Sequence, residues 1–583
     1  MVLARLLAAS LVILALACGS SDESGGDATA DTGPGDAAGE VTPDLPDAAD
    51  PGPADSNADP DPAPADAADA AEAEMPSFDV PVETGVNYVV IAEDGLLESA
   101  KALAAWREGL GYHPAVFKVS DLVSGGADPL LLVAIVQSAL RGAREKLPAG
   151  EALFLVLYGD APGEFDDTSG RIPAIGCENE SDSYVGCRTD NTYGDLDGDG
   201  VPEAAVGRIP VADAAEGAAF LAKLQAHETA YENGLWNRRV SLYTGQANFS
   251  PEIDLLIETA VMEGLKRMSH AFDIVGAYDN PNSPYYYAPF EDKVIDVYNG
   301  GSLMTVYIGH GSEESMQGLS TEQIAQIHCA HRLPVALFLA CWTGNYAGED
   351  DSISERVIAL PDGPIAAFAS TDVSHPYPNA LLAYEAQRAF LDARPATIGE
   401  ALRLTKDQVI HNDDEFRMQV DAAAEIQVSK WMQKRLKRQH LDLYNLLGDP
   451  ATPVKYPGSD VAFDPVTGKT PDGPLHVAGA APGVESGSAL VTLETERDVI
   501  RADLEEVDPD DPDPATVQAN WAKAIDKVVV GVTVPVANGR FEADLTCPDD
   551  LPLGTYWIKV YASTDPAAPA GTAADSFGAI QAP

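Results

Sequence analysis

The chain has 583 residues, 45 % of them hydrophobic, which supports several well-packed domains and is too long for one ordinary core. Its formal net charge of −56 excludes nucleic acid as a partner, because phosphate is repelled. The charge is uneven, since residues 19–80 hold many Asp and Glu and no Lys or Arg.

The N-terminus reads as an export signal. Arg5 precedes the apolar run 6–17, and Cys18 follows Leu14-Ala15-Leu16-Ala17. The run is shorter than the ~20 residues a membrane-spanning helix requires. Segment 1–18 resembles a lipoprotein signal peptide with Cys18 as the lipidated mature N-terminus, although Ala15 stands where Leu is usual. Plain secretion is the alternative. Gly19 follows instead of an Asp that would favour the inner membrane, so the expected place is the outer membrane or cell surface, with the lipid as the membrane contact. Residues 19–80 are Asp-, Ala- and Pro-rich and cannot bury enough apolar surface to fold, which predicts a disordered, extended linker.

From residue 87 to about 453 strands and helices alternate. The pattern predicts strands at 88–92, 115–119 and 152–158, with helices at 96–110, 129–146 and 212–233. The run 152–158 is apolar throughout, as a strand buried on both faces requires. The pattern then restarts with strands at 240–244, 272–277, 302–308, 335–340 and 365–369. Helices are predicted at 251–269, 290–299, 353–360, 379–393, 398–410 and 422–438. The fold class is therefore α/β, as two consecutive units with mostly parallel sheets at 87–230 and 235–455. The tail 473–583 has short alternating strands at 489–494, 528–535, 539–545 and 555–562, with a hairpin signal at Asn538-Gly539. It reads as an immunoglobulin-like β-sandwich with a structural or docking role.

Export places the cysteines in an oxidising compartment. Cys177 and Cys187 are close together in a polar loop and suit a small disulfide ring, whereas Cys329, Cys341 and Cys547 have no obvious partner. Two strand ends carry reactive side chains, where ligands bind in open α/β sheets. Strand 302–308 runs into Gly309-His310-Gly311-Ser312, and strand 335–340 runs into Cys341-Trp342-Thr343-Gly344-Asn345. If the strands are neighbours, His310 and Cys341 share one cleft, open to solvent. An imidazole beside a thiol takes its proton during attack and passes it to a leaving amine. The backbone N–H groups of Gly311 and Cys341 are the candidate oxyanion hole. The bland reading is a small buried cysteine and a structural histidine.

Four segments settle the balance by resemblance. Tyr307-Ile308-Gly309-His310-Gly311-Ser312, after Asn299-Gly300-Gly301, resembles the catalytic histidine segment of the gingipain family of cysteine peptidases, which has a caspase-like fold. Leu339-Ala340-Cys341-Trp342-Thr343-Gly344-Asn345 resembles its cysteine segment. Tyr193-Gly194-Asp195-Leu196-Asp197-Gly198-Asp199-Gly200, with Ala205-Val206-Gly207-Arg208-Ile209-Pro210, resembles the junction between its two subdomains, and Leu446-Leu447-Gly448-Asp449-Pro450 resembles the end of its catalytic region. The resemblance implies a non-catalytic caspase-like subdomain at 87–230, a catalytic one at 235–455, and endopeptidase action on protein or peptide substrates through Cys341 and His310. It also points to Glu252 and Asp254 as substrate-pocket acids and to His375, in Ser370-Thr371-Asp372-Val373-Ser374-His375, as a pocket contact. A first-turn carboxylate is equally explained by the helix dipole. Gln246 lies near the place where the family often has a third, acidic member, so a plain dyad is expected.

No cofactor is needed for catalysis. Asp195-x-Asp197-x-Asp199-Gly200-x-x-Glu203 has the spacing of a calcium loop, with the Val201 carbonyl as a further ligand, but Val206 stands at the twelfth position, so this is no EF-hand. A structural calcium ion is expected there. Two rival functions remain open: a surface binding or adhesion protein without activity, against which His310 and Cys341 argue, and a transpeptidase using the same dyad.

Overall fold

The structure, a computed structural model, describes residues 78, 80–161, 168–179, 186–230, 232, 234–246, 261–425, 428–466, 474–509, 511–565 and 574–582. The predicted signal 1–18 with Cys18, nearly all of the linker 19–80, and Glu252 and Asp254 lie outside them. No helix among the described residues is long and apolar enough to cross a membrane.

The first half alternates as predicted: β1 (Tyr88–Ala92), α1 (Leu97–Gly109), β2 (Pro114–Lys118), α2 (Pro129–Arg144), β3 (Phe154–Tyr158), β4 (Ala205–Ile209) and α3 (Ala214–Thr229). β4 is an addition to the predicted strands. Strand periodicity explains the layers. Tyr88, Val90 and Ala92 of β1 join one apolar cluster with Leu103 of α1 and Leu224 of α3. Val89 and Ile91 face the other way and join Leu132, Val136 and Leu140 of α2. Asp128 caps α2 by accepting from the Leu130 N–H, with Pro129 in the first turn, and Asp213 caps α3.

The second half comprises β5 (Arg239–Thr244), β6 (Asp273–Tyr278), α4 (Phe290–Asn299), β7 (Met304–Ile308), β8 (Val335–Leu339), α5 (Ile353–Ala359), β9 (Ala366–Ser370), α6 (Pro376–Arg388) and α7 (Ile398–His411). The helix predicted at 422–438 is in fact two, α8 (Glu415–Ala424) and α9 (Lys430–Leu443). Ser429 starts the second by accepting from the Met432 N–H, a competing cap inside an otherwise helical pattern. α9 runs directly into β10 (Tyr444–Leu447).

β10 changes the architecture. The two predicted units are not separate sheets. Among the described residues, ten strands form one sheet in the order β2-β1-β3-β4-β10-β9-β8-β7-β5-β6. All neighbours are parallel except β9 and β10, so the halves run in opposite directions and β10 is the seam. At that seam Leu447 is opposite Arg208, and the Gly448 N–H donates to the Arg208 carbonyl at 2.7 Å. A Cβ at Gly207 would collide with the Gly448 carbonyl and lie 2.8 Å from Pro450 Cδ, so only glycine lets the strands meet.

The tail contains β11 (Leu475–Ala480), β12 (Ser486–Thr495), α10 (Pro514–Ile525), β13 (Val528–Ala537), β14 (Arg540–Leu545), β15 (Tyr556–Thr564) and β16 (Asp575–Gln581). These strands, with Ser459–Asp460 and Ala462–Phe463 at the edges, form one hydrogen-bonded sheet of eight among the described residues. Asn538 and Gly539 both have positive φ, 52° and 67°, the backbone a tight two-residue hairpin needs.

Candidate active site

β5, β6, β7, β8 and β9 are parallel, so their carboxyl ends and following loops share one edge. β7 and β8 are direct neighbours with Ile308 opposite Leu339. His310 and Cys341 each stand two residues beyond that pair and leave neighbouring strands at the same level. Adjacent strands are about 4.8 Å apart. The two loops also touch: a Cβ at Gly311 would lie 2.7 Å from Thr343 Cγ2, 2.9 Å from Ala340 Cβ and 3.0 Å from the Cys341 carbonyl oxygen. The glycine after the histidine is therefore required by close approach.

The histidine loop is braced from below. The Tyr307 hydroxyl donates to the His310 carbonyl at 2.6 Å and accepts from the Gln317 N–H at 3.2 Å. Its ring lies 5.2 Å from that of Tyr243 on β5. The cysteine loop is braced by segment 371–375. The Trp342 N–H donates to the Asp372 carbonyl at 3.2 Å, and the Gly344 N–H to the Ser370 carbonyl at 2.8 Å. Trp342 has φ of 54°, a left-handed conformation that a bulky residue adopts only when its surroundings hold it there. α5 ties the two loops together, because the Ile353 N–H donates to the Glu313 carbonyl at 2.7 Å and the Ser354 N–H to the Thr343 carbonyl at 3.1 Å.

His310 is half-buried. Cys341 is only 6 % exposed, against the expectation of a thiol open to solvent. The reason is the loop after β9: the Ser374 N–H donates to Cys341 Sγ at 3.4 Å. Trp342, which follows Cys341, and Ser312, two residues after His310, line an open cavity of about 680 Å³ together with Glu314 and Glu322.

His375 lies in the same loop, but its Nδ1 caps α6 by accepting from the Tyr377 N–H at 3.1 Å, and its own N–H donates to His440 Nε2 at 2.6 Å. Burial pushes its imidazole down to about 4. Gln246 bonds Asp279, an acid just after β6 that the sequence pattern did not single out. Burial raises the Asp279 carboxyl, and the Gln246 amide opposes this.

Cys177 and Cys187 are disulfide-bonded with Cα atoms 5.2 Å apart. Asn179 inside that ring donates to Asp372 Oδ2 at 3.1 Å and to the Val373 carbonyl at 2.9 Å, bracing the wall behind the cysteine. Cys329 is buried, and burial pushes its thiol up to about 12, which makes it a poor nucleophile. Carboxylate oxygens of Asp195, Asp197 and Glu203 lie within 4.8 Å of one another. Asp199 is outside that group and accepts from the Val201 N–H at 2.8 Å. Burial raises the Asp195 carboxyl, and Asp199 and Asp197 add to the rise.

Among solved structures, the Arg-specific cysteine proteinase gingipain R shares 16 % identity with this chain, with 86 % of this chain and 100 % of that chain covered and a TM-score of 0.48. A complex of the pro- and mature domains of Porphyromonas gingivalis RgpB shares 16 %, with 84 % and 99 % covered and a TM-score of 0.47. A further protease structure shares 15 %, with 86 % and 98 % covered and a TM-score of 0.50, a likeness of fold. No curated protein matches the chain. Residues 82–455 match the model of Peptidase family C25, a span that runs from just before β1 to just beyond β10 and contains His310 and Cys341. The chain belongs to Peptidase family C25, the gingipain family of cysteine peptidases.

Proposed function

We propose that the protein is a cysteine endopeptidase that cleaves protein substrates with a Cys341/His310 dyad. Cys341 Sγ attacks the scissile carbonyl while His310 takes the thiol proton. His310 returns that proton to the departing amine, leaving a thioester on Cys341. Water, deprotonated by His310, then releases the acid and the free thiol. The N–H groups of Gly311 and Cys341 hold the oxyanion. The observation that carries this reading is the register of Ile308 with Leu339, from which both side chains emerge two residues on.

Hydrolysis of a peptide library by wild type and Cys341→Ala tests it. Internal cleavage by wild type alone is expected. Ligation products would favour a transpeptidase, and an inert wild type would favour a binding protein. The substrate-side roles of Glu252, Asp254 and His375 belong to the same proposal, tested by profiling cleavage sites in single variants.

The acidic loop is proposed to hold a calcium ion through Asp195, Asp197 and Glu203, with Asp199 and the Val201 carbonyl completing the set. An all-oxygen donor set suits a hard cation, and crowded carboxylates gain most from one. Adding calcium to chelator-treated protein is expected to raise Tm, and Asp195→Asn to remove the rise. We read the tail as an immunoglobulin-like structural module, and Cys18 as the lipid anchor of an outer-membrane or surface protein. Release of Cys18→Ser from the membrane fraction would support that placement.

A further inference from the structure

Cys341 is met by more than a histidine. The Ser374 N–H points at its sulfur at 3.4 Å, and Ser374 Oγ stands 3.9 Å from the same atom. Asn379, in the first turn of α6, donates from Nδ2 to Ser374 Oγ at 2.8 Å. Tyr444, the first residue of β10, donates its hydroxyl to Asn379 Oδ1 at 2.8 Å. Ser374 and Tyr444 are fully buried, and Asn379 is 7 % exposed. The order of donors gives the chain a direction. The Tyr444 proton identifies the amide oxygen, so Nδ2 faces the serine. An N–H into Oγ occupies a lone pair of the hydroxyl and leaves its hydrogen to point at the sulfur. The sulfur also lies 3.8 Å from the Ser374 carbonyl oxygen, to which a thiol can donate, whereas the N–H at 3.4 Å and a hydroxyl hydrogen turned toward the sulfur at 3.9 Å favour the thiolate.

We propose that Ser374 is a catalytic residue that stabilises the Cys341 thiolate, with Asn379 and Tyr444 as positioning residues that aim its hydroxyl. This rests on Cys341 being the nucleophile. Tyr307 of β7 interacts electrostatically with Cys341, and His310 follows it in the chain; Asp372 and His375 lie within two residues of Ser374, and the His375 N–H donates to His440 Nε2 of α9. Burial pushes His375 down to about 4 and His440 to about 3, so both are neutral at neutral pH. Asp372 accepts from the Val373 N–H at 2.7 Å and from Asn179.

The test is the rate at which iodoacetamide alkylates Cys341 as a function of pH, read on the Cys341 peptide by mass spectrometry in full-length protein. In Ser374→Ala the midpoint is expected to rise by about one pH unit, with roughly tenfold slower alkylation at neutral pH. Peptide hydrolysis should lose kcat with little change in KM. Ser374→Thr, which keeps the hydroxyl, should restore most of the rate, and Asn379→Ala should shift the midpoint the same way by less. An unchanged midpoint in Ser374→Ala, or an equal shift in Ser374→Thr, overturns the proposal. If Ser374→Ala does not fold, Tyr444→Phe carries the test, and an unshifted midpoint there overturns it. Cleavage surviving in Cys341→Ala would instead remove the nucleophile assignment itself.

Discussion

At the scale of single residues, the site combines the thiol proposed as nucleophile, the imidazole proposed as its partner and several groups that hold them. Gly311 is among the latter. Gly311→Ala would press a methyl against Ala340, the Cys341 carbonyl and Thr343, all at 3.0 Å or less. The variant is expected to lose about 1–3 kcal/mol of stability in urea unfolding and at least tenfold in kcat. Glu355 at the start of α5 supplies a pH signature. Its carboxylate accepts from the Ser352 N–H and hydroxyl, both at 2.7 Å. Burial outweighs these bonds and, with help from Asp160 and Asp351, pushes the carboxyl from 4.5 up to about 8. Between those values the folded protein holds a proton that the unfolded chain releases. The Glu355 contribution is therefore complete below pH 4.5 and lost as the pH rises through about 8. Stability of wild type relative to Glu355→Gln should fall across that window, and a flat difference would contradict a neutral Glu355. The placement of His310 and Cys341 just beyond two strand ends was legible in the sequence because each follows an apolar run, and the structure makes those two strands neighbours. The grip of Ser374 on the sulfur was not, since its shorter bond comes from a backbone N–H that every non-proline residue has.

At the scale of elements, β10 decides the sheet. It is four residues long and comes after α9 without a break, so no periodicity separates it from the helix. Its partners are distant: β9 by an antiparallel ladder and β4 through Leu447 and Arg208. Strands β1, β3 and β8 were legible because they are apolar throughout and buried on both faces. The Gly448-Asp449-Pro450 segment just beyond β10 owes its acid to a buried ionic cluster. Asp449 accepts from Arg107 Nε on α1 and from the Tyr88 hydroxyl on β1, both at 2.8 Å, while Arg107 Nη1 reaches Glu228 of α3 at 2.7 Å. Arg107 and Asp449 are fully buried. Arg107→Met would strand two carboxylates in the interior, and a loss of about 3–5 kcal/mol is expected in urea unfolding. A loss below about 1 kcal/mol would show that the pair does not join the two halves.

At the scale of the whole molecule, the tail is fastened to the edge of the peptidase sheet. Trp521 of α10 donates to the Gly276 carbonyl of edge strand β6 at 2.9 Å and so covers that edge. Asp273 of β6 pairs with Arg238 at 2.8 Å and with Lys559 of β15 at 2.6 Å. Burial alone would raise its carboxyl, but these two cations hold it well below the usual carboxylate range. Arg497 donates to the carbonyls of Met268, Ser269 and Phe272 at 3.0, 2.7 and 3.1 Å. Calorimetry should therefore show one cooperative transition for both modules, and a chain ending at residue 457 should unfold at lower temperature. Two separate transitions would contradict a shared unit. The Asn538-Gly539 hairpin was legible, because positive φ at two successive positions selects those residues. α10 was not: its Asp513 cap and Pro514 sit at the end of an acidic, proline-rich stretch that reads as loop.

At every scale the proposed chemistry depends on Cys341 being the nucleophile and His310 its activator. Treatment with a peptidyl acyloxymethyl ketone, which is attacked only by an activated thiolate, followed by mass mapping, tests this most directly. One adduct on Cys341 is expected, absent in Cys341→Ala and at least about 10³-fold slower to form in His310→Ala. An adduct on Cys329 or Cys547, or one whose rate ignores the loss of His310, would contradict that assignment.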